Sequence, residues 1–199
     1  MKYPAFFDSV PSIRLQDPLS NFLGTFEEGL VEFTYLDVVK SAGHSCPTVV
    51  GAYLATYKAL EALYPDMLPQ RGQIDVSFKS EALEGVTGVI ANVITQITGV
   101  TEQFGFKGIN GQFIRYNLMH FNADISSEIL FKRLDTGKSV AINYNANIVS
   151  TNPQQKELMG KIMQGIALPK ERKEFGKLWQ ERVERIFLAR EEVIEVKCI

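Results

Sequence analysis

Residues 43–65, GHSCPTVVGAYLATYKALEALYP, contain the pattern that decides the fold of this chain. Their apolar side chains recur at intervals of three or four residues, as they do on one face of an α-helix. These side chains are Val50, Leu54, Tyr57, Leu60 and Leu63 or Tyr64. Pro47 suits the first turn of a helix, where a missing N–H costs nothing, and Pro65 favours a helix end just before it. The stretch therefore predicts a helix between the two prolines, with a short GHSC loop in front of it.

The segments after this helix predict an α+β fold in which an antiparallel sheet packs against helices. Residues 73–78 alternate polar and apolar side chains, as a half-buried strand does. Residues 86–98 are rich in β-branched residues, but their apolar side chains follow a helical stripe, so we expect a buried helix there. Residues 99–111 contain four glycines and predict a long loop. Further strands are predicted at residues 112–120, 128–134 and 139–144, and further helices at residues 154–164 and 169–190.

The chain length predicts one domain with an appended segment. We expect residues 1–150 to form the α+β domain, including an irregular or partly helical lead-in over residues 1–28 in which Asp17-Pro18 can start a short helix, and residues 151–199 to form a C-terminal helical segment packed on it. Residues 30–37 fit a strand, whereas residues 35–41 fit a helical turn equally well, and the pattern leaves both alternatives open.

The composition excludes several classes of partner. The 199 residues include 21 Lys and Arg against 23 Asp and Glu, and the net charge of −2 offers no positive field for nucleic acid or an anionic membrane. No run approaches the roughly 18 apolar residues of a membrane span. The N-terminal stretch lacks the pattern of a signal peptide, and the two cysteines form no disulfide framework. We therefore expect a cytoplasmic protein.

The GHSC loop carries the residues best suited to chemistry. A cysteine at a helix start meets unpaired N–H groups and the positive end of the helix dipole, and both favour the thiolate, which binds metals or attacks electrophiles. His44 lies two residues before Cys46, and a nitrogen–sulfur pair suits zinc, nickel, copper or iron. A metal-free thiol enzyme, with Cys46 as nucleophile and His44 as base, is the alternative. In the plainer interpretation, the cysteine is a small buried side chain and the histidine pairs with a loop carbonyl.

Three blocks of the chain resemble the FmdE-like family, which takes its name from formylmethanofuran dehydrogenase. Residues 43–60 resemble its GH-x-CP segment, residues 98–113 its TGC loop, and residues 131–142, FKRLDTGKSVAI, its strand-turn-strand with a TGK turn. The resemblance implies an α+β domain, often a homodimer, with a transition-metal site, zinc above all, on His44 and Cys46. Val100 stands where the family's TGC loop has its cysteine. The family usually has a further cysteine shortly before the helix predicted at residues 86–98, and this chain has none there.

Other residues have weaker claims to function. His120 ends a predicted strand and is a candidate further ligand, while Asp75, Glu81 and Asp124 are ordinary carboxylates. The loop at residues 105–111 could present N–H groups to an anion, with Lys107 as the counter-charge and Arg115 and Tyr116 just beyond it. Tyr53 and Tyr57 fit either a pocket wall or the core, and Cys198 is expected to be inert.

The segment from Ala82 to Ala123 is unusually poor in charge. Its charged residues are Glu84, Glu102, Lys107 and Arg115. Such a segment is typical of the interior of a fold or of a subunit interface. A third hypothesis is therefore an assembly module that docks on a second copy or on a larger oxidoreductase.

Overall fold

The computed structural model describes residues 1–199 and contains seven α-helices and two sheets. The helices are α1 (Pro18–Phe22), α2 (Tyr35–Ala42), α3 (Pro47–Leu63), α4 (Thr87–Thr98), α5 (Pro153–Met163), α6 (Pro169–Leu188) and α7 (Arg190–Val193). The strands are β1 (Ile13–Gln16), β2 (Leu30–Phe33), β3 (Ile74–Phe78), β4 (Met119–His120), β5 (Ile129–Arg133), β6 (Ser139–Tyr144) and β7 (Ile194–Cys198). The predicted α+β fold is confirmed.

The main sheet has five strands in the order β4-β3-β5-β6-β7. All neighbours are antiparallel except β3 and β4, which run parallel. Ile74, Val76 and Phe78 of β3 are buried, whereas Asp75 and Ser77 lie between them on the partly exposed face. This alternation is that of a sheet with one face on the core and one toward solvent.

Helix α3 is the centre of the core, as its apolar pattern predicts. It packs against β6, β7, α4 and α6. Tyr53 is fully buried, and its hydroxyl lies 2.7 Å from the carbonyl oxygen of Pro11 and 3.1 Å from that of Phe33. Tyr53 is therefore a core residue that ties the N-terminal segment to α3, and it does not line a pocket.

Both alternatives for residues 30–41 are present, one after the other. Strand β2 pairs with β1 in a separate two-stranded sheet, and Thr34 then starts α2. The Thr34 side chain accepts a hydrogen bond from the N–H of Asp37, while the Asp37 carboxylate accepts one from the N–H of Thr34. This reciprocal capping box explains why the chain changes from strand to helix at this residue.

The strand predicted at residues 112–120 is wrong for most of its length, because only Met119 and His120 pair with a neighbour as a strand. Phe113 and Asn117 have φ values of 61° and 54°. These left-handed conformations interrupt an extended backbone. Residues 99–118 therefore form one long irregular loop between α4 and β4.

A buried ion cluster holds this long loop in place. The Asp17 carboxylate lies 2.7 Å from an Arg115 nitrogen and 3.0 Å from an Arg71 nitrogen, and it also caps the N-terminus of α1. Asp17 and Arg115 are 6% and 5% exposed, so the pair is withdrawn from water. Burial raises the pKa of Asp17, but the hydrogen bond from Arg71 and the charge of Arg115 outweigh it and hold that pKa below its usual value.

The C-terminal residues form a strand that the helical prediction for this segment missed. Helix α6 ends at Leu188, one short turn of helix follows, and β7 then pairs with β6 at the edge of the main sheet. The predicted C-terminal segment thus contributes a strand to the sheet as well as helices to its surface, and its division from the rest at residue 150 stays a prediction. None of the helices has both the length and the apolar character needed to span a membrane.

Candidate functional site

The GHSC loop is a tight connection between α2 and α3. Gly43 ends α2 in the left-handed conformation, with φ at 76°, and its N–H donates to the carbonyl of Val39. A glycine takes this conformation without strain, and it reverses the chain within one residue. Cys46 then caps the N-terminus of α3, which begins at Pro47. The loop therefore presents His44, Ser45 and Cys46 between two helix ends.

His44 is exposed, and its orientation is set by a bond to its own loop. Its Nδ1 lies 3.0 Å from the carbonyl oxygen of Ala42. Because a carbonyl can only accept, this bond assigns a proton to Nδ1, and in the neutral imidazole Nε2 then has a free lone pair. His44 lines a cavity of about 480 Å³ between the loop and α4. The other lining residues are Ser41, Ala42, Val89, Asn92, Val93, Thr95 and Gln96.

Cys46 has a different environment. Its thiol is partly buried, and Sγ accepts a hydrogen bond of 3.4 Å from the N–H of Val49. The thiol lies near Tyr35 and Tyr144, and burial raises the pKa of both tyrosines above the usual value. Cys46 is not among the residues that line the cavity beside His44. The structure thus gives the two residues separate surroundings.

A zinc centre takes four protein ligands when it is structural and three when it is catalytic. His44 is the only imidazole, thiol or carboxylate that lines the cavity. Val100, at the position of the family's TGC cysteine, is fully buried and offers no donor atom. No three His, Cys, Asp or Glu side chains lie close enough together to hold a metal ion. His, Cys, Asp and Glu side chains alone therefore do not complete such a centre, and zinc at His44 and Cys46 stays a prediction.

Ser45 is held from both sides. Its carbonyl accepts hydrogen bonds from Trp179 Nε1, at 3.0 Å, and from Gln180 Nε2, at 3.1 Å. Its hydroxyl lies 2.9 Å from the hydroxyl of Tyr35, which is fully buried. Helix α6 therefore fixes the backbone of the loop at the residue between His44 and Cys46.

Tyr144 supports the start of α3 from the sheet. Its hydroxyl donates a 2.6 Å hydrogen bond to the carbonyl of Pro47. Its ring packs on Gly51 so closely that a Cβ at that position would overlap the ring. Gly51 is therefore needed for close approach between α3 and β6.

The remaining candidate residues lie elsewhere. His120 Nε2 is 2.8 Å from the Asp75 carboxylate on the solvent-facing side of the sheet, and the two residues form an isolated pair. Glu81 and Asp124 are exposed in loops. Cys198 is an exposed residue of β7 rather than part of a frayed end.

The glycine-rich loop is anchored to the fold through Arg115, and anion binding by this loop stays a prediction. Lys107 is exposed and forms no ion pair, Tyr116 is partly exposed, and Arg115 points into the cluster with Asp17. Tyr57 is half-buried against the core.

The charge-poor segment, residues 82–123, is partly buried and partly exposed. Ile94 and Ile97 are fully buried, whereas other apolar side chains of the segment are exposed. The most exposed of these are Leu83 and Phe104, at 97% and 96%. Docking of this segment on a homodimer partner or an oxidoreductase stays a prediction.

Sequence reasoning missed the residues that hold the loop and line the cavity. Trp179 belongs to the apolar stripe of α6, but a partly buried indole N–H requires an acceptor, and that requirement was a usable signal. Asn92 and Gln96 are polar residues four positions apart on the otherwise apolar helix α4, and both line the cavity. Their spacing was a second usable signal for a polar site on this helix. Tyr144 gave no signal beyond its place at a strand end.

A comparison with known protein families agrees with the resemblance in the sequence. The family model described as "FmdE, Molybdenum formylmethanofuran dehydrogenase operon" matches residues 42–195. No curated protein matches the chain. Among solved structures, it is similar to a tungsten formylmethanofuran dehydrogenase FmdE-like protein from Syntrophus aciditrophicus, with 16% identity and a TM-score of 0.43 over 84% of this chain and 72% of that one. Because the family model covers more than half of its length, the chain belongs to the FmdE family.

Proposed function

We propose that this FmdE-family protein binds a small, uncharged polar molecule in the cavity beside His44. The observation that carries the proposal is the hydrogen bond between His44 Nδ1 and the carbonyl of Ala42. This bond leaves Nε2 as a hydrogen-bond acceptor on a residue that lines a cavity of about 480 Å³. A volume of that order is typical of small-molecule sites.

The chemistry of the cavity wall defines the class of ligand. The lining residues include hydroxyls from Ser41 and Thr95 and amides from Asn92 and Gln96, with apolar side chains between them and no charged residue. Gln96 uses its Nε2 on the carbonyl of Asp37, so its oxygen remains as an acceptor. A neutral ligand with hydroxyl or amide N–H groups matches these two acceptors, His44 Nε2 and the Gln96 oxygen, and the two hydroxyls without leaving a charge unpaired.

Zinc, or nickel, iron or copper, held by His44 and Cys46 is the second candidate. The same Nδ1 bond favours it, because a metal-ligating histidine commonly donates its other ring N–H to a carbonyl. In this case oxygen ligands from Asn92, Gln96 or water have to complete the shell. The thiol-enzyme alternative has less support, because the Cys46 thiol already accepts the Val49 N–H and does not line the cavity.

The test compares binding in the wild-type protein and in the His44→Ala, Asn92→Leu and Cys46→Ser variants. The probes are a set of neutral fragments with hydroxyl or amide groups, followed by ligand-observed NMR, and Zn²⁺ alone, followed by calorimetry and elemental analysis. We expect fragments to bind the wild type, and to bind His44→Ala and Asn92→Leu at least tenfold more weakly, because each variant removes a polar partner of the fragment. A tenfold loss of affinity corresponds to about 1.4 kcal/mol of binding free energy. Binding to Cys46→Ser is expected to match the wild type, which makes it the control.

Two results would overturn the proposal. One is the absence of fragment binding, or binding that is equal in His44→Ala and wild type. The other is Zn²⁺ bound near one equivalent per chain and lost in both the His44→Ala and Cys46→Ser variants. That second result would replace the proposal with the metal site.

A further inference from the structure

A second cavity, of about 300 Å³, lies where α3, the start of α4 and the ends of β3, β5 and β6 meet. We call it the Lys79 cavity, after a lysine that lines it. We propose that this cavity binds a free α-amino acid with an apolar side chain, in its zwitterionic form. The proposal is independent of the ligand proposed beside His44, because the two cavities share no lining residue.

Much of the wall of the Lys79 cavity is apolar. Gly51, Ala52 and Ala55 of α3 have small side chains or none, so the helix leaves space at this point. Phe78 and Ile129, which are paired neighbours on β3 and β5, also line the space. Liquid water occupies about 30 Å³ per molecule, so the cavity has room for a ligand of about ten non-hydrogen atoms. An apolar amino acid such as leucine is close to this size.

The start of α4 is suited to the carboxylate of such a ligand. Val86 precedes the first turn, and its side chain supplies no cap to the free N–H groups there. Thr87 lines the cavity and is only 8% exposed, yet its hydroxyl has no hydrogen-bond partner within the chain. A buried hydroxyl without a partner costs free energy, so it points to a polar group of a ligand. The positive end of the helix dipole favours an anion as that group.

Lys79 supplies a cation for the same carboxylate. It directly follows β3, lines the cavity and is exposed at its mouth. Its ammonium group forms no ion pair within the chain. The uncapped helix start, the free hydroxyl of Thr87 and this unpaired lysine therefore all match one negatively charged group.

Glu128 supplies the opposite charge in the same cavity. One of its carboxylate oxygens accepts a 2.8 Å hydrogen bond from the N–H of Tyr144, which fixes the direction of the side chain. Its carboxylate forms no ion pair, and Glu84 adds a second unpaired carboxylate to the wall. A simple acid would meet these two carboxylates without a counter-charge, and a simple amine would leave Lys79 unmatched. A zwitterion matches both signs, and the unpaired charges select against the other two classes.

The experiment measures the binding of L-leucine to the full chain by calorimetry at neutral pH. Three compounds of similar size each lack one feature of leucine. Isopentylamine lacks the carboxylate, 4-methylpentanoate lacks the ammonium group, and L-asparagine has a polar side chain in place of the apolar one. We expect L-leucine to bind, and each of the three compounds to bind more weakly by about tenfold or more, because each leaves a charged group or the apolar wall unmatched.

Charge variants test the location of the ligand and its direction in the cavity. Lys79→Met should weaken L-leucine about tenfold without weakening isopentylamine, which has no carboxylate. Glu128→Gln keeps an oxygen for the N–H of Tyr144 and should weaken L-leucine about tenfold without weakening 4-methylpentanoate. Thr87→Val keeps the shape of the side chain, and loss of its hydroxyl should cost about fivefold. Lys132→Met removes an exposed lysine that does not line the cavity, so it is the matched control and should bind L-leucine as the wild type does.

Several results would overturn the proposal. One is the absence of L-leucine binding. Another is binding no tighter than that of isopentylamine, 4-methylpentanoate or L-asparagine, which would replace the zwitterion with a simple amine, a simple acid or a polar ligand. A third is L-leucine binding that Lys79→Met and Glu128→Gln leave unchanged, or that Lys132→Met weakens equally. Should an analogue bind too weakly to measure, the affinity of the variants for L-leucine decides alone. Because Lys79 and Glu128 are exposed, their variants should stay folded, and thermal denaturation checks this.

Discussion

The loop before α3 and the loop between α4 and β4 are both irregular, yet different forces hold them. Neutral hydrogen bonds secure the first, from Trp179 and Gln180 to the carbonyl of Ser45. Buried charges secure the second, through Asp17 and Arg115. The difference teaches that a short loop between two helix ends needs only its backbone fixed, whereas a loop of twenty residues needs an anchor that reaches another part of the chain.

The two anchors also differ in what they leave available. In the ion cluster Asp17 and Arg115 are withdrawn from solvent, so their pairing serves the stability of the fold. At the short loop the bonds from Trp179 and Gln180 go to the backbone carbonyl of Ser45, and the Nε2 of His44 takes no part in holding the loop.

Removal of the carboxylate at the ion cluster should have the largest effect. Asp17→Ala leaves Arg115 buried without its counter-charge, and we expect a loss of about 3–5 kcal/mol in the free energy of unfolding. Urea denaturation measures it. Asp124→Ala, an exposed carboxylate without a partner, serves as control and should change stability by less than about 0.5 kcal/mol. A loss of less than about 1 kcal/mol in the free energy of unfolding of Asp17→Ala would mean that the ion cluster does not hold the loop over residues 99–118 in place.

The same carboxylate should make part of the stability depend on pH. The pKa of Asp17 is lower in the folded chain than its usual value, so its contribution is present at neutral pH and is lost as the pH falls below about 4. Asp17→Asn cannot titrate at this position. The difference in unfolding free energy between the wild type and Asp17→Asn should therefore be constant from pH 7 to about 5 and shrink below about 4. A difference that does not vary with pH would contradict the pKa shift.

At the short loop, overpacking of the support should have the next largest effect. Gly51→Ala places a methyl group within the ring of Tyr144, and the displacement of the ring strains its bond to the carbonyl of Pro47. We expect a loss of about 1–3 kcal/mol. Gly160→Ala in α5 meets no atom within 4 Å and should stabilise the protein by up to about 1 kcal/mol. Equal changes in the free energy of unfolding for Gly51→Ala and Gly160→Ala would show that the ring of Tyr144 does not contact Gly51.

Removal of one of the two hydrogen-bond donors to the Ser45 carbonyl should lower the free energy of unfolding by less than the Gly51→Ala substitution does. Trp179→Phe deletes the indole N–H but leaves Gln180, so we expect a loss of about 0.5–1.5 kcal/mol. The double variant Trp179→Phe, Gln180→Leu leaves the carbonyl without either donor and should lose more than the two single variants together. Simple additivity in urea denaturation would mean that the donors do not share one acceptor.

The smallest effect on stability is expected at His44 itself. Its side chain is exposed and bonds only to a neighbouring carbonyl, so His44→Ala should change the free energy of unfolding by less than about 0.5 kcal/mol. Thermal and urea denaturation check this directly. A loss above about 1 kcal/mol would make the imidazole a structural group and remove it as the acceptor for a ligand.

The sequence predicts the regular elements well where apolar periodicity is strong. Helices α3 and α4 and strands β3, β5 and β6 follow their patterns, because burial of one face determines each of them. The error at residues 112–120 has a local cause, since the positive φ of Phe113 and Asn117 leaves no trace in the apolar pattern. Strand β7 was missed although Ile194, Val196 and Cys198 alternate with charged residues, because it directly follows a long charged helix.

The sequence predicts where the candidate site lies along the chain, but it does not predict the directions of the side chains or the residues of the cavity wall. The helix start at Pro47 predicts where His44 and Cys46 stand along the chain. The direction of each side chain depends on bonds to Ala42 and Val49. The cavity wall depends on how α4 packs beside the loop, a contact between residues some 50 positions apart that no local pattern encodes.

The bonds from α6 to Ser45 also set an order of events during synthesis. Trp179 lies 134 residues beyond Ser45, so at about 5–20 residues per second the ribosome adds it roughly 7–27 s later. During that interval the loop exists without the donors that fix its backbone. The loop beside the His44 cavity is thus secured only after α6 has been made, and a nascent chain that lacks α6 would carry the loop in an unsecured form.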